Sequence, residues 1–339
     1  MIGNKCCKGK LLLALALLMT ILAVVAVLLG SYPLTLPDML RGLRELSLSR
    51  EEQSMATRVL WQLRIPRMLM ALLTGAVLGV CGGVYQMLFH SPLASPDLTG
   101  VASGASLGAA VAIVLGVGSS AVRIGFAFFG GVLSLLLVML LVRFAGGERV
   151  GTYILAGIVI SSLADAGLMG MKTVADPERQ LAAIEFWPMG SFGAASADKL
   201  LPFAVIVLPT LLLLLLLHRP VSMLSLGNDA CRAMGLSPDI WRTVLLLLAT
   251  LSVSAAVSVS GVIGFVGLTA PHIARLLYKR RSGAFLLVCA LMGSSLLLAA
   301  DIAAKTLVAG AELPISIFTV AAGVPVLVVL LCSRGGREA

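Results

Sequence analysis

An all-α, polytopic bundle of about ten transmembrane helices is the fold this sequence predicts, and three observations carry that reading. Of its 339 residues, 59% are hydrophobic and 12% charged, roughly half the charged share of an ordinary soluble domain. Mean hydropathy is +1.05. The stretches 11–30, 101–122, 124–142, 200–217, 282–300 and 313–333 hold no charged residue, and a hydrocarbon core of about 30 Å asks for about 20 apolar residues per crossing. Lipid supplies no water to an open backbone, so such segments must be helices. A soluble domain is excluded, and no nucleic-acid partner is expected.

The spans follow in order along one transmembrane domain, 1–339. Lys5, Lys8 and Lys10 precede the first, 11–30. Its apolar run outlasts the 7–15-residue core typical of a secretory signal, so it reads as a retained helix with a cytoplasmic N-terminus. The second span, 64–87, opens on Arg64-Ile65-Pro66-Arg67 and closes on a Ser-Pro-Leu-Ala-Ser-Pro turn, where Pro92 and Pro96 forbid a continuous helix. The third is 98–117. "GAVLG" (75–79) and "GVASGASLG" (100–108) repeat glycine every fourth residue, a pattern that lets helix backbones touch. Spans 122–144, 150–171 and 200–217 come next. Residues 243–274 contain no Lys, Arg, Asp or Glu and are too long for one crossing. The "SVSGVIG" run (258–264) divides them into spans 241–260 and 261–277. Spans 283–304 and 313–332 complete ten, which returns both termini to the cytoplasm.

Under that topology 14 of the 25 cations lie on the cytoplasmic side and 11 outside, a slight positive-inside bias. Six of the outer eleven fall between Arg41 and Arg67. A face this basic suits an acidic partner.

Chemistry of its own is scarce. There is no Walker A motif, no H-E-x-x-H and no nucleophile elbow. The six cysteines show neither disulfide nor metal-ligand spacing, and the histidines number three. No catalytic residue, metal or cofactor is therefore expected in this chain. The intramembrane acids are Asp165 and Asp301; each carries a cost of about 2.5–3.5 kcal/mol at mid-bilayer. Ion-coupled carriers bear that cost at several places, so energy for any transport should come from another subunit.

A pattern emerges from "RIPR" with "TGAVLGVCGGVYQMLFHSPLASPDLTGVASGA" (74–105), "YILAG" (153–157), "FWPMGSFG" (186–193), "LSLGNDACRAMGL" (224–236), "SGVIGFVGLTAPHIAR" (260–275), "LAADIAAK" (298–305) and "ELPISIFTVAAGVPVLVVLL" (312–331). In this order and spacing the chain resembles the FecCD-type permease subunits of bacterial iron-siderophore, haem and vitamin B12 ABC importers. The resemblance implies a type II ABC importer permease in the bacterial cytoplasmic (inner) membrane. It implies a homodimer with the substrate path on its two-fold axis. It also implies two ATP-binding cassette subunits that hold ATP-Mg, and a periplasmic or lipid-anchored substrate-binding protein.

The resemblance also assigns residues. Arg64 and Arg67 match the family's R-x-P-R motif and look like sockets for carboxylates of the binding protein; guanidinium forks suit that pairing, and interfacial snorkelling is the alternative. Lys305 stands where the family often has a third arginine, with an i,i+4 pair to Asp301 as its alternative. Residues 226–236 look like the coupling helix seated on the ATPase, through Leu226, Gly227, Asp229, Ala230, Arg232 and Gly235. Asp229 suits the helix start and Gly235 can end it. Ser91 and Leu93 match one cytoplasmic gate, Val150 and Gly151 the other. Gln86 faces either the path or a neighbouring helix. The rival readings are an ATPase-independent carrier or channel, and an integral membrane enzyme.

Overall fold

The structure is a computed structural model describing residues 3–30, 32, 35–45, 53–146, 150–278, 283–308 and 311–335. Among these residues there are helices and no strands. Six of the cations counted by side, Arg50, Arg149, Lys279, Arg280, Arg281 and Arg337, lie outside them.

Every expected span coincides with a helix. In order these are α1 (Gly3–Leu28), α4 (Ile65–Leu88), α5 (Val101–Val114), α6 (Ser120–Phe144), α7 (Val150–Val174), α9 (Ala197–Leu216), α12 (Pro238–Ser260), α13 (Val266–Leu277), α14 (Gly283–Thr306) and α15 (Ile315–Gly335). Short helices sit between them: α2 (Leu36–Arg44), α3 (Met55–Val59), α8 (Leu181–Phe186), α10 (His218–Leu224) and α11 (Asn228–Ala233). Seven of the long helices are long and apolar enough to cross a bilayer, while α5, α13 and α15 offer shorter apolar lengths.

Burial sorts these helices into a centre and a rim. From Thr74 to Leu88 every residue of α4 is buried, because α9, α12, α13 and α14 pack round it. Helices α12 and α14 share the interior, whereas α1, α6, α7 and α9 turn most of their surface outward. Glycine makes the tight centre possible. A Cβ on Gly82 would stand 1.7 Å from the Gly267 carbonyl oxygen, so α4 and α13 meet backbone to backbone there. The "GAVLG" repeat lies against Gly293 and Cys289 of α14 in the same way.

Of the boundaries that differ from the sequence reading, two have a clear backbone reason. The second span begins at Met55, because α3 continues through a π-turn at Leu60–Arg64 into α4. Pro66 has no N–H and its ring crowds the carbonyl four residues back; the ladder widens, and the Ile65 N–H reaches the Leu60 carbonyl. The eighth span begins late. Gly261 ends α12 at φ +71°, and residues 261–264 are not helical. Their carbonyls serve hydroxyls instead: Ser316 Oγ donates to Val262 O and Ser260 Oγ to Gly261 O, both at 3.0 Å.

Candidate functional site

The bundle has two contrasting ends. At one of them, the charged end, the C-termini of α1 and α14 meet the N-terminal turn of α4. Arg64 leaves the π-turn toward α1, donating to the Leu29 carbonyl and, at 2.9 Å, to the Tyr32 carbonyl; it is 9% exposed. One turn on, Arg67 spans two carboxylates. Its Nε and one terminal nitrogen donate to Asp301 Oδ1 at 3.0 and 2.9 Å, and the other terminal nitrogen donates to Glu312 Oε1 at 2.6 Å. Lys305 completes the cluster, 3.4 Å from Asp301 Oδ2 and donating to the Ala26 carbonyl at 2.6 Å.

The three cations singled out in the sequence therefore come together, but they point inward. Asp301 is fully buried, and Lys305 makes the i,i+4 pair that was its alternative reading. Glu312 is the member that sequence reasoning did not anticipate. It lies in the loop before α15, its carboxylate against Gly193 and 43% exposed. That loop is anchored in turn, since the Ile315 N–H donates to the Gly190 carbonyl.

The opposite end carries α11. Gly227 precedes the helix at φ +107° and Gly235 follows it at φ +79°, both in open space. The Leu236 N–H returns to the Cys231 carbonyl and the Gly235 N–H to the Arg232 carbonyl, both at 3.0 Å. This double bond pattern is a Schellman stop, which needs a left-handed residue where Gly235 stands. Asp229 lies in the first turn and Arg232 in the last, as the helix dipole favours. Cys231 is buried beneath, whereas Leu226 is 66% exposed, and Met234 and Ile240 are also open. Arg242 holds the base of the element by donating to Asn228 Oδ1 at 2.9 Å. An apolar tip on a small charged helix is thus presented clear of the bundle.

Near that end lies the Ser-Pro-Leu-Ala-Ser-Pro turn. Ser91 Oγ accepts the Leu93 N–H at 3.3 Å, which turns the exposed Leu93 outward. The chain re-enters through a short 3₁₀ turn, Pro96–Thr99. Gly157 of α7 fits against the Leu98 carbonyl with no room for a Cβ. Val150 and Gly151 form the first residues of α7, with Gly151 exposed. Gln86 is 2% exposed and bridges helices: its Nε2 donates to Leu268 O and its Oε1 accepts from Arg275, both at 3.2 Å. That is the interhelical option of the sequence reading. Among the described residues no group of three His, Cys, Asp or Glu could hold a metal ion.

An ion-pair cluster buried at one end, a capped helix projecting from the other and a glycine-packed bundle between them define a class, the membrane-spanning subunit of a transporter. The comparisons narrow it. The FecCD transport family model matches residues 17–333, and the chain belongs to that family. It is 38% identical over 278 residues to the vitamin B12 import system permease protein BtuC of Escherichia coli O157:H7 (strain EC4115), covering 81% of this chain and 84% of that one. The BtuC of Shigella flexneri is matched at the same identity and coverage. A solved structure described as an inward-facing metal-chelate type ABC transporter superposes with a TM-score of 0.85 and 33% identity, over 96% of this chain and 99% of the other. PsaBC from Streptococcus pneumoniae shares the fold, with a TM-score of 0.57 at 17% identity over 86% of this chain and 94% of that one. The architecture is that of a type II ABC importer permease.

Proposed function

We propose that the chain is the permease subunit of an ATP-driven importer that carries a metal chelate, such as a ferric siderophore or haem, or a cobalamin across the bacterial cytoplasmic membrane. Two copies form the conduit, two ATP-binding cassette subunits supply the energy, and an external binding protein delivers the ligand. The charged end is the outer face, the α11 end and both termini are cytoplasmic, and the chain itself catalyses no covalent step and holds no cofactor. The observation that carries this reading is the match across 81% of the chain to a vitamin B12 import permease.

Each end then has a task. At the inner face the exposed Leu226 and Met234, framed by Asp229 and Arg232, dock α11 in a cleft of the ATPase; its movement reaches the gates near Ser91–Leu93 and Val150–Gly151. At the outer face Arg67 receives a carboxylate of the binding protein, with Arg64 and Lys305 setting the local field. Glu312 is the exchangeable partner of Arg67, because a half-exposed ion pair is screened and weak. Asp301 stays, because breaking a buried pair strands a charge.

The test is reconstitution. Alone in lipid vesicles the chain should not accumulate a chelate; with its ATPase and binding protein, uptake should follow ATP. Concentrative uptake by the chain alone would establish the secondary-carrier reading instead.

A further inference from the structure

One stripe of α7 faces out of the bundle along the whole helix, and its chemistry changes halfway. Toward the α11 end it shows Leu155, Ile158 and Val159; toward the charged end it shows Ser162, Asp165 and Met169, all exposed. Asp165 lies nine residues from the end of α7 and fifteen from its start, about 13 and 22 Å along the axis. That depth is within a hydrocarbon core. An aspartate is too short to reach the interface as lysine and arginine do, and it has no hydrogen bond or ion pair within the described residues. No other ionisable side chain among them is exposed away from the ends of a spanning helix.

The neighbouring face of α7 provides the contrast. Leu163 lines an apolar groove of about 750 Å³ shared with Phe126 and Phe129 of α6, a surface made for lipid tails. Asp165 is turned away from that groove. A carboxylate at this depth needs water or a countercharge beside it, and the helix that bears it starts at the expected gate residues Val150 and Gly151.

We propose that Asp165 lines the outer, water-filled half of the substrate conduit and makes it electronegative, so that it admits uncharged or cationic metal chelates and turns polyanionic ones back. The inference rests on the importer reading and narrows its substrate class. In a two-fold dimer the carboxylate is present twice on one path, and apolar walls concentrate its field. Chelates with uncharged or positive ligand shells, hydroxamate-like or corrinoid, fit such a path; tris-catecholate polyanions do not.

Thiol accessibility tests this without a known ligand. Ser162→Cys, Met169→Cys and Leu163→Cys are made singly in the full chain after Cys6, Cys7 and Cys332 are changed to serine. The proteins, in membrane vesicles, are treated with methanethiosulfonates bearing either trimethylammonium or sulfonate. Cysteines at 162 and 169 should react with the cation on the order of tenfold faster than with the anion, each rate being taken relative to that of a free thiol in solution with the same reagent, from the Coulomb term of one nearby charge, and that at 163 with neither. Asp165→Asn, which is nearly isosteric at an exposed site, should bring the ratio to about one. Equal rates at 162 and 169 beside Asp165 would overturn the selectivity while leaving the conduit in place. No reaction at either position with either reagent would show that this stripe meets lipid or a second copy, which overturns the proposal and the conduit along α7 together. A ratio that survives Asp165→Asn would assign the field to other groups and overturn the role of Asp165.

Discussion

The two ends of the bundle solve opposite problems with the same kinds of residue. At the charged end Arg67, Asp301, Lys305 and Glu312 pair with one another, and Arg64 closes on the end of α1. At the α11 end Arg232 reaches Asp239 only at 3.9 Å with both side chains well exposed, and what stands clear is apolar. One end is held by a buried ion-pair cluster; the other rests on backbone turns and the Arg242–Asn228 bond, with Gly227 and Gly235 touching nothing. A cation that stands out in sequence can thus be consumed by the fold, while a partner surface shows itself by what the fold leaves uncovered.

Removing the shared carboxylate breaks this comparison most severely. Asp301→Ala leaves Arg67 and Lys305 facing a buried void, and stranding a buried charge costs about 3–5 kcal/mol. Thermal unfolding in detergent should show a large fall in midpoint. A loss below about 1 kcal/mol would mean that the end is not held by the pair. The next effect is Arg67→Lys, which keeps charge but gives up the planar fork that spans Asp301 and Glu312. The lost charge-assisted bonds are worth about 1.5–3 kcal/mol. Glu312→Gln, at the wet edge of the same cluster, should cost under about 1 kcal/mol and should tighten rather than weaken capture of the binding protein by Arg67. Weaker capture would show that Glu312 supports the docking surface instead of competing for it.

At the other end Gly235 sharpens the contrast, because stability and function should separate there. Any side chain with a Cβ in the left-handed region costs about 1–2 kcal/mol, asparagine least. No neighbour adds a clash, so Gly235→Val should still fold. The tilt of α11 should change, and the reconstituted complex should hydrolyse ATP with little uptake. Gly235→Asn should keep most of the coupling. Equal coupling in both variants would remove α11 from the transmission path.

How far the sequence carried this picture depends on the range of the interaction. Spans were legible because burial in lipid writes itself as unbroken apolar runs, and the glycine repeats announced close backbone packing without naming α14 as the partner. The stop at Gly235 and the Asp301–Lys305 pair were also legible, since both are local on the helix. The Glu312 partner of Arg67 was not, being 245 positions away. Nor was the inward turn of Arg64, which depends on where the end of α1 comes to rest. The α2 helix carries a local signal, since Thr35-Leu36-Pro37-Asp38 is an N-terminal capping sequence and the Thr35 N–H donates to Asp38 at 2.9 Å. Masked by the nearby run of arginines, it read as a basic stretch.

That corner supplies the smallest effect and the last contrast. Hydrogen bonds from Thr57, then from Ser54, hold the Glu45 carboxyl below the usual carboxylate range, and Thr35 does the same for Asp38. A carboxyl depressed in the folded state adds stability above its unfolded value and loses it as pH falls through the folded one, so acid should loosen α2 and leave neutral pH unaffected. The α11 end rests on backbone turns and on the Arg242–Asn228 bond, with no carboxylate in either, and should hardly respond. Two tryptophans report the two places: Trp61 Nε1 donates to the Gly42 carbonyl at 3.1 Å, and Trp241 opens α12 just beyond α11. In single-tryptophan variants the Trp61 emission should shift to the red between pH 6 and pH 3, about the carboxylate range, while the Trp241 emission stays in place. A shift at Trp241 alone would reverse the assignment of which corner is held by titratable side chains.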